Sequence, residues 1–243
     1  ADEFTVEMAK FITGDEDAGS LLTALTEQNA FVRRLPEGGS FRFHHMMKEC
    51  AGRTFLTLEP SKQVLYRQRY GAWYERRRQY LHALAAYRAA ADYDGALRVI
   101  QSDAGILLAS LRPQEVLDFL AECPQTVLAA NPAAILVLMR RMFTWRLIPK
   151  MMELKGQLLS SLAADPQMTA VERGNLLGEC DLIQSFLCYN DISAMSRLHR
   201  SASSQMSRPA ISIHKSGGWT FGSPSVLMMF YGAPGELAGE LAE

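Results

Sequence analysis

Two adjacent imidazoles, His44 and His45, are the side chains best suited to chemistry near neutral pH, where the ring can donate or accept a proton. A catalytic base needs a nucleophile or carboxylate at a recognisable spacing, and none accompanies this pair. Metal ligation fits poorly too, because neighbouring residues on a strand point to opposite faces and the nearest soft ligand, Cys50, belongs to the next element. One packed histidine beside one exposed histidine accounts for the pair more simply. The acidic run Asp15, Glu16, Asp17 also invites a metal reading, but carboxylates ahead of a helix complement its positive end, so a solvated capping turn fits better. Arg67, Arg69, Arg76, Arg77 and Arg78, interleaved with Tyr70 and Tyr74, could contact RNA; with a formal net charge of −1, a solvated helix face is the simpler reading. Met139, Met142, Met151 and Met152 could form an adaptable binding stripe, although methionines at this spacing more often fill gaps in a core. In the tail, His214, Trp219 and Phe221 are candidate contacts for a ligand or partner, set against the alternative that the aromatics pin the loop to its own repeat. No G-x-S-x-G, H-E-x-x-H, paired Cys and His ligands or Gly-rich phosphate cradle occurs, so neither an enzyme nor a metal site is expected.

The chain has 243 residues, enough for one large or two small domains with a sizeable core. Its near-neutral charge gives no basic footprint for sequence-independent binding to nucleic acid or anionic lipid. Cys50, Cys123, Cys180 and Cys188 are scattered without a C-x-x-C pair and read as small apolar side chains, reduced, in a cytoplasmic protein. The longest apolar run, Ala133 to Met139, ends at Arg140 far short of the ~18 residues of a membrane span. No basic region followed by an apolar one opens the chain, so no secretory signal is expected. The chain starts on alanine and GELAGELAE breaks off inside a helical pattern, which suggests a piece of a longer protein.

The elements that must position these residues are mostly helical. Phe4, Met8, Phe11 and Ile12 form a short amphipathic helix closed by Gly14, and Leu21, Leu22 and Leu25 a second helical stripe. Then the period changes. Phe31 to Leu35 and Phe41 to His44 read as strands of a β-hairpin whose turn is Pro36-Glu37-Gly38-Gly39-Ser40, followed by a helix from about His45 to Leu58. Helix, two-stranded wing and helix make a winged-helix unit. DNA binding is the obvious first idea for such a unit, yet Arg33, Arg34 and Arg42 are the only nearby cations and TALTEQNA offers no basic recognition face.

From Pro60 every strong period is helical. Tyr66 to Ile100 gives two apolar stripes, Leu65, Tyr70, Trp73, Tyr74 and then Leu81, Leu84, Tyr87, Ala91, which predict a helical hairpin. Gly71, Tyr74, Ala83, Tyr87 and Ala90 occupy positions of the tetratricopeptide pattern, while Arg67 and Gly95 stand where it has tryptophan and proline. Shifting by the ~34-residue period reproduces only Gly105, so later copies are degenerate. Asp94 is the expected cap of a helix to Ile100, with further starts at Pro113, Pro124, Asn131-Pro132, Pro149, Thr169 and Asp191. Ser207 to Pro234 reads as a long irregular connection.

The joined order LLTALTEQNAFV, FRFHHMM, YRQRYGAWYERRRQYLHALAAYRAA and DFLAECPQTVLAANPAAILVLMR resembles the large ATP-dependent LuxR-family transcriptional regulators of bacteria, the MalT-like proteins. The resemblance covers nearly all of the chain and implies a mainly α fold, a winged helix with a small β-hairpin followed by a TPR-like helical superhelix. It divides the chain into the last helix of a truncated ATPase switch (1–18), winged helix (19–59), TPR-like repeats (60–205) and an irregular loop with the start of a further helix (206–243). It implies no cofactor in this fragment and ATP or ADP in the full-length parent, slowly hydrolysed there. No P-loop is present. Related signal-transduction ATPases carry an H-x-L histidine that senses the β-phosphate of ADP; His44-His45-Met46 aligns with it, and His44 takes that role by resemblance. The implied partners are a small-molecule inducer or a protein on the repeats, DNA through a C-terminal helix-turn-helix absent from this sequence, and further copies in nucleotide-dependent self-association, with no membrane. The alternative is a helical-repeat protein-protein interaction scaffold with no transcriptional role.

Overall fold

The computed structural model describes residues 3–28, 30–36, 39–188 and 191–212. The chain divides into two compact units, Ala1–Ala96 and Leu97–Glu243. Among the described residues it is mainly helical, with one small antiparallel sheet near its start.

In the first unit β1 (Glu3–Phe4) leads into α1 (Val6–Thr13). The Thr5 hydroxyl caps α1 by accepting from the Met8 N–H at 3.1 Å, and Gly14 ends it in the left-handed region, φ 74°. α2 (Ala18–Glu27) precedes the hairpin of β2 (Val32–Arg34) and β3 (Phe41–Phe43). The strand order is β1-β3-β2, with Phe4 opposite Phe41 and Val32 opposite Phe43. Leu22, Val32 and Phe41 are the buried centre of this unit's wing, with Phe4, Leu25 and Phe43 packed around them. The expected hairpin is therefore present; β1 was not foreseen, since two residues have no period to read.

α3 (His45–Leu56), α4 (Pro60–Arg76) and α5 (Tyr80–Ala89) follow, and α6 (Tyr93–Ser102) runs on into the second unit. Trp73 of α4, 5% exposed, packs on Met8 and Ile12 of α1, with the Phe11 ring 5.5 Å away. α4 and α5 form the expected hairpin, and the small residues lie where helices touch. A Cβ on Gly71 would fall 2.6 Å from the Tyr87 ring and one on Gly95 2.7 Å from it. That ring is buried between them, its hydroxyl donating to Glu75 at 2.7 Å.

Three details differ from the sequence reading. Leu65 and Leu81 are exposed because α4 and α5 bury the faces centred on Gly71 and Trp73 and on Leu84 and Tyr87. Ala91 is exposed as well, lying past the end of α5 in a left-handed turn with φ 52°. Asp92, not Asp94, caps α6, its carboxylate accepting from the Gly95 N–H at 2.8 Å, because the helix begins two residues earlier than the apolar pattern suggested.

The second unit continues through a 3₁₀ turn (Ile106–Ser110), α7 (Pro113–Glu122), α8 (Gln125–Ala129), α9 (Pro132–Thr144), α10 (Ile148–Ala164), α11 (Ala170–Ser185), a second 3₁₀ turn (Phe186–Cys188) and α12 (Ile192–Gln205). Thr169 and Asp191 cap α11 and α12 as expected, accepting from Glu172 N–H at 3.1 Å and Ala194 N–H at 2.8 Å. α9 is the core element, buried from Ala133 to Met139 and at Met142. Met151, Leu154, Leu158 and Leu162 of α10 pack on it at the i, i+3, i+4 spacing of one helix face. Three of the four methionines are core residues; Met152 is exposed. All four cysteines are free thiols, but Cys50 lies on the surface of α3, whose apolar pattern is too weak to bury it. Among the described residues no helix is long and apolar enough to cross a membrane.

Candidate functional site

His44 sits where β3 ends and α3 begins, as the residue preceding the first helical turn. Its backbone places it firmly: the N–H donates to the Phe31 carbonyl at 2.7 Å and the carbonyl accepts from the Lys48 N–H at 3.0 Å. His45 is the first residue of α3, so the two rings are not on a strand and do not point apart; their centroids lie 4.2 Å from one another. Both histidines are exposed, against the expectation of one packed and one free. The strand stops one residue earlier than the aromatic run suggested, and the break at His44 turns both rings outward.

The pair borders a cavity of about 380 Å³ lined also by Phe31, Val32, Arg33, Arg42 and Phe43. The Phe31 and His44 ring centroids lie 5.8 Å apart, and Phe31 holds a left-handed backbone, φ 58°. Arg33 and Arg42 face one another in register across β2 and β3. Arg42 forms an ion pair with Glu3, yet its Nε is buried and lacks a hydrogen-bond partner among the described residues. Guanidinium and imidazole donors around one concavity suit an anion with several acceptor oxygens. Among the described residues no group of three or more His, Cys, Asp or Glu is placed to hold a metal ion.

A larger cavity, about 550 Å³, lies between the start of the chain and the α4–α5 hairpin, where Glu3, Glu7, Lys48, Trp73, Arg77 and His82 line it. Its charges are already matched: Arg77 pairs with Glu7 at 3.0 Å and stacks 3.3 Å above the Trp73 ring centroid. Four of the five clustered arginines are likewise committed, Arg77 among them, while Arg78 is exposed. Arg67 donates to the Ala89 carbonyl at 2.8 Å, Arg69 to the Ile12 carbonyl at 3.1 Å, and Arg76 stacks 4.7 Å from the Phe11 ring. Of the other candidates, His214, Trp219 and Phe221 lie outside the described residues.

Two polar groups of the second unit escaped the sequence reading. The Ser185 hydroxyl lies 2.9 Å from His199 Nε2, but it is fully buried and donates to the Leu182 carbonyl at 2.7 Å, which leaves no free nucleophile there. Glu179 of α11 is also fully buried, and it takes the Ile211 and Ser212 N–H groups at 3.0 and 2.5 Å. The signal was present: Glu179 stands on the stripe Leu176, Cys180, Ile183, where a carboxylate must find donors.

Residues 1–63 match the family model for the MalT winged helix domain. The match spans about a quarter of the chain and supports a MalT-like regulator, with the wing and α3 as parts of that domain. Comparison with curated proteins and with solved structures found no match.

Proposed function

We propose that this chain is the regulatory part of a MalT-like transcription regulator of the LuxR family, in which a winged helix reports the nucleotide state of an ATPase switch to a TPR-like sensor. The observation that carries the reading is the family match over residues 1–63 together with His44, fixed by its backbone beside a cavity rich in cationic donors. An imidazole donor there favours a closed, ADP-bound form by hydrogen bonding to a phosphate oxygen. Exchange for ATP then frees the winged helix and the helices beyond Pro60 for assembly. In this reading the helices receive an inducer or a protein signal, the fragment performs no catalysis, and DNA is contacted elsewhere in the parent. α2 agrees with the last point, since it carries no basic residue.

His44→Ala in the full-length protein is expected to raise transcription in the absence of inducer, measured from a reporter promoter, because the resting state loses a contact. Unchanged basal transcription refutes the role of His44. A full-length protein that still responds to its inducer after deletion of residues 60–243 refutes the sensor assignment.

A further inference from the structure

Residues 206–212 follow α12 and are held by side chains of two other helices, through main-chain groups and through the side chains of Ser207 and Arg208. Asn175 Oδ1 accepts from the Ser207 N–H at 2.7 Å. Glu179 accepts from two successive amides, Ile211 N–H at 3.0 Å and Ser212 N–H at 2.5 Å. Arg140 of α9 donates to the Ser212 carbonyl at 2.8 Å. Every amino acid but proline offers these amides, so these contacts select a backbone shape, bent at Ser207-Arg208 and again at Ile211-Ser212, rather than a sequence. Side chains are read at two places: the Ser207 hydroxyl donates to Asn175 at 3.2 Å, and Arg208 reaches Glu172 at 2.8 Å and Glu179 at 3.5 Å.

The segment fills this site imperfectly. The Ser212 hydroxyl is buried and has no hydrogen-bond partner among the described residues, an arrangement native interiors avoid. Glu179 meanwhile depends on its occupant, because a fully buried carboxylate is tolerated only while donors surround it.

The geometry points to a peptide-binding seat formed by Glu172, Asn175 and Glu179 of α11 with Arg140 of α9, occupied by the chain's own residues 207–212. A segment of a partner protein that adopts the same two bends, with arginine in the place of Arg208 and a small residue without a hydroxyl in the place of Ser212, takes the seat by displacing it. The proposal needs only the second unit and is independent of the transcriptional reading. A tethered segment competes at an effective concentration of order millimolar, so the seat stays closed to weak or dilute partners.

A fluorescein-labelled synthetic peptide of residues Met206–Ser212, MSRPAIS, tests this by fluorescence anisotropy against the 243-residue chain and its R208E variant. The variant is expected to bind the peptide at least about ten-fold more tightly, because its own segment no longer pairs with Glu172 and Glu179. A peptide ending in alanine instead of serine binds more tightly still, and E179Q added to R208E abolishes binding. Equal affinity of the wild-type and R208E chains overturns the proposal. Hydrogen exchange on the wild-type chain decides the matter if R208E fails to fold: the Ile211 and Ser212 amides should exchange at least about 100-fold faster than those of Leu176 and Cys180. Exchange at the same rate makes the segment a fixed part of the unit and refutes a displaceable occupant.

Discussion

Replacing Gly71 by alanine puts a methyl group where the structure leaves no room. Its Cβ would stand 2.6, 2.7 and 2.8 Å from three atoms of the Tyr87 ring. The ring cannot retreat, because Gly95 approaches it so closely that a Cβ there would lie 2.7 Å away, and its hydroxyl is tied to Glu75. Overpacking a core costs ~1–3 kcal/mol, and a ring pinned from two sides belongs at the upper end. Alanine's helix preference over glycine returns ~1 kcal/mol, leaving a net loss of ~2 kcal/mol. Gly52→Ala is the control within the same unit: it lies inside α3 with no atom within 4 Å of its Cβ, so only propensity acts and a gain of up to ~1 kcal/mol is expected. Equilibrium urea denaturation, comparing midpoints at constant slope, measures both. In a Tyr87→Leu background the methyl group has space, so the Gly71→Ala penalty should shrink towards zero. Wild-type stability of Gly71→Ala, or an equal cost in both backgrounds, would refute a clash with the Tyr87 ring.

Packing at Trp73 and burial at Cys180 lead to three further outcomes. Trp73→Ala should cost ~3–5 kcal/mol in the same denaturation experiment, since it empties the contact between α1 and α4 and strips Arg77 of its stacking surface; a negligible loss would show that α4 is held by other contacts. Burial pushes the Cys180 thiol up to about 11 from an ordinary value of 9.0, whereas Cys50 is exposed. Iodoacetamide at pH 8 should therefore modify Cys50 in the native chain and leave Cys180 untouched. Because the unfolded thiol ionises first, stability falls as pH rises from about 9 towards 11, and a Cys180→Ala variant should lose that dependence; identical alkaline titrations of the two chains would refute it.

Helices with strong periods and explicit punctuation were legible in the sequence. Proline at the first or second position of α7, α9 and α10, and side-chain caps at Thr169 and Asp191, mark starts that local chemistry alone determines. Gly71 and Tyr87 were legible through their spacing, though not the second approach from Gly95, which depends on where α6 is placed. Leu65 and Leu81 misled because apolar type does not say which face of a helix has a neighbour. The histidine pair misled for a different reason: a single residue of strand end decides whether the two rings point apart or come together. Arg69, Arg76 and Asn175 were beyond reach because their partners are far along the chain or are carbonyls and amides, which every residue carries; Glu179 showed as a carboxylate on an apolar stripe, but the amides it holds did not.

The two-residue strand β1 alters how the wing comes to exist. Arg33 and Arg42 face each other across the hairpin, and like charges so placed oppose pairing. Glu3 stands opposite Arg42 on the other side and forms an ion pair with it over a separation of 39 residues. An isolated hairpin closes in about 1–10 μs, but this one closes against a repulsion that is relieved only when a distant strand arrives. The wing is therefore a nonlocal element, completed by a pairing that closes a loop over α1 and α2.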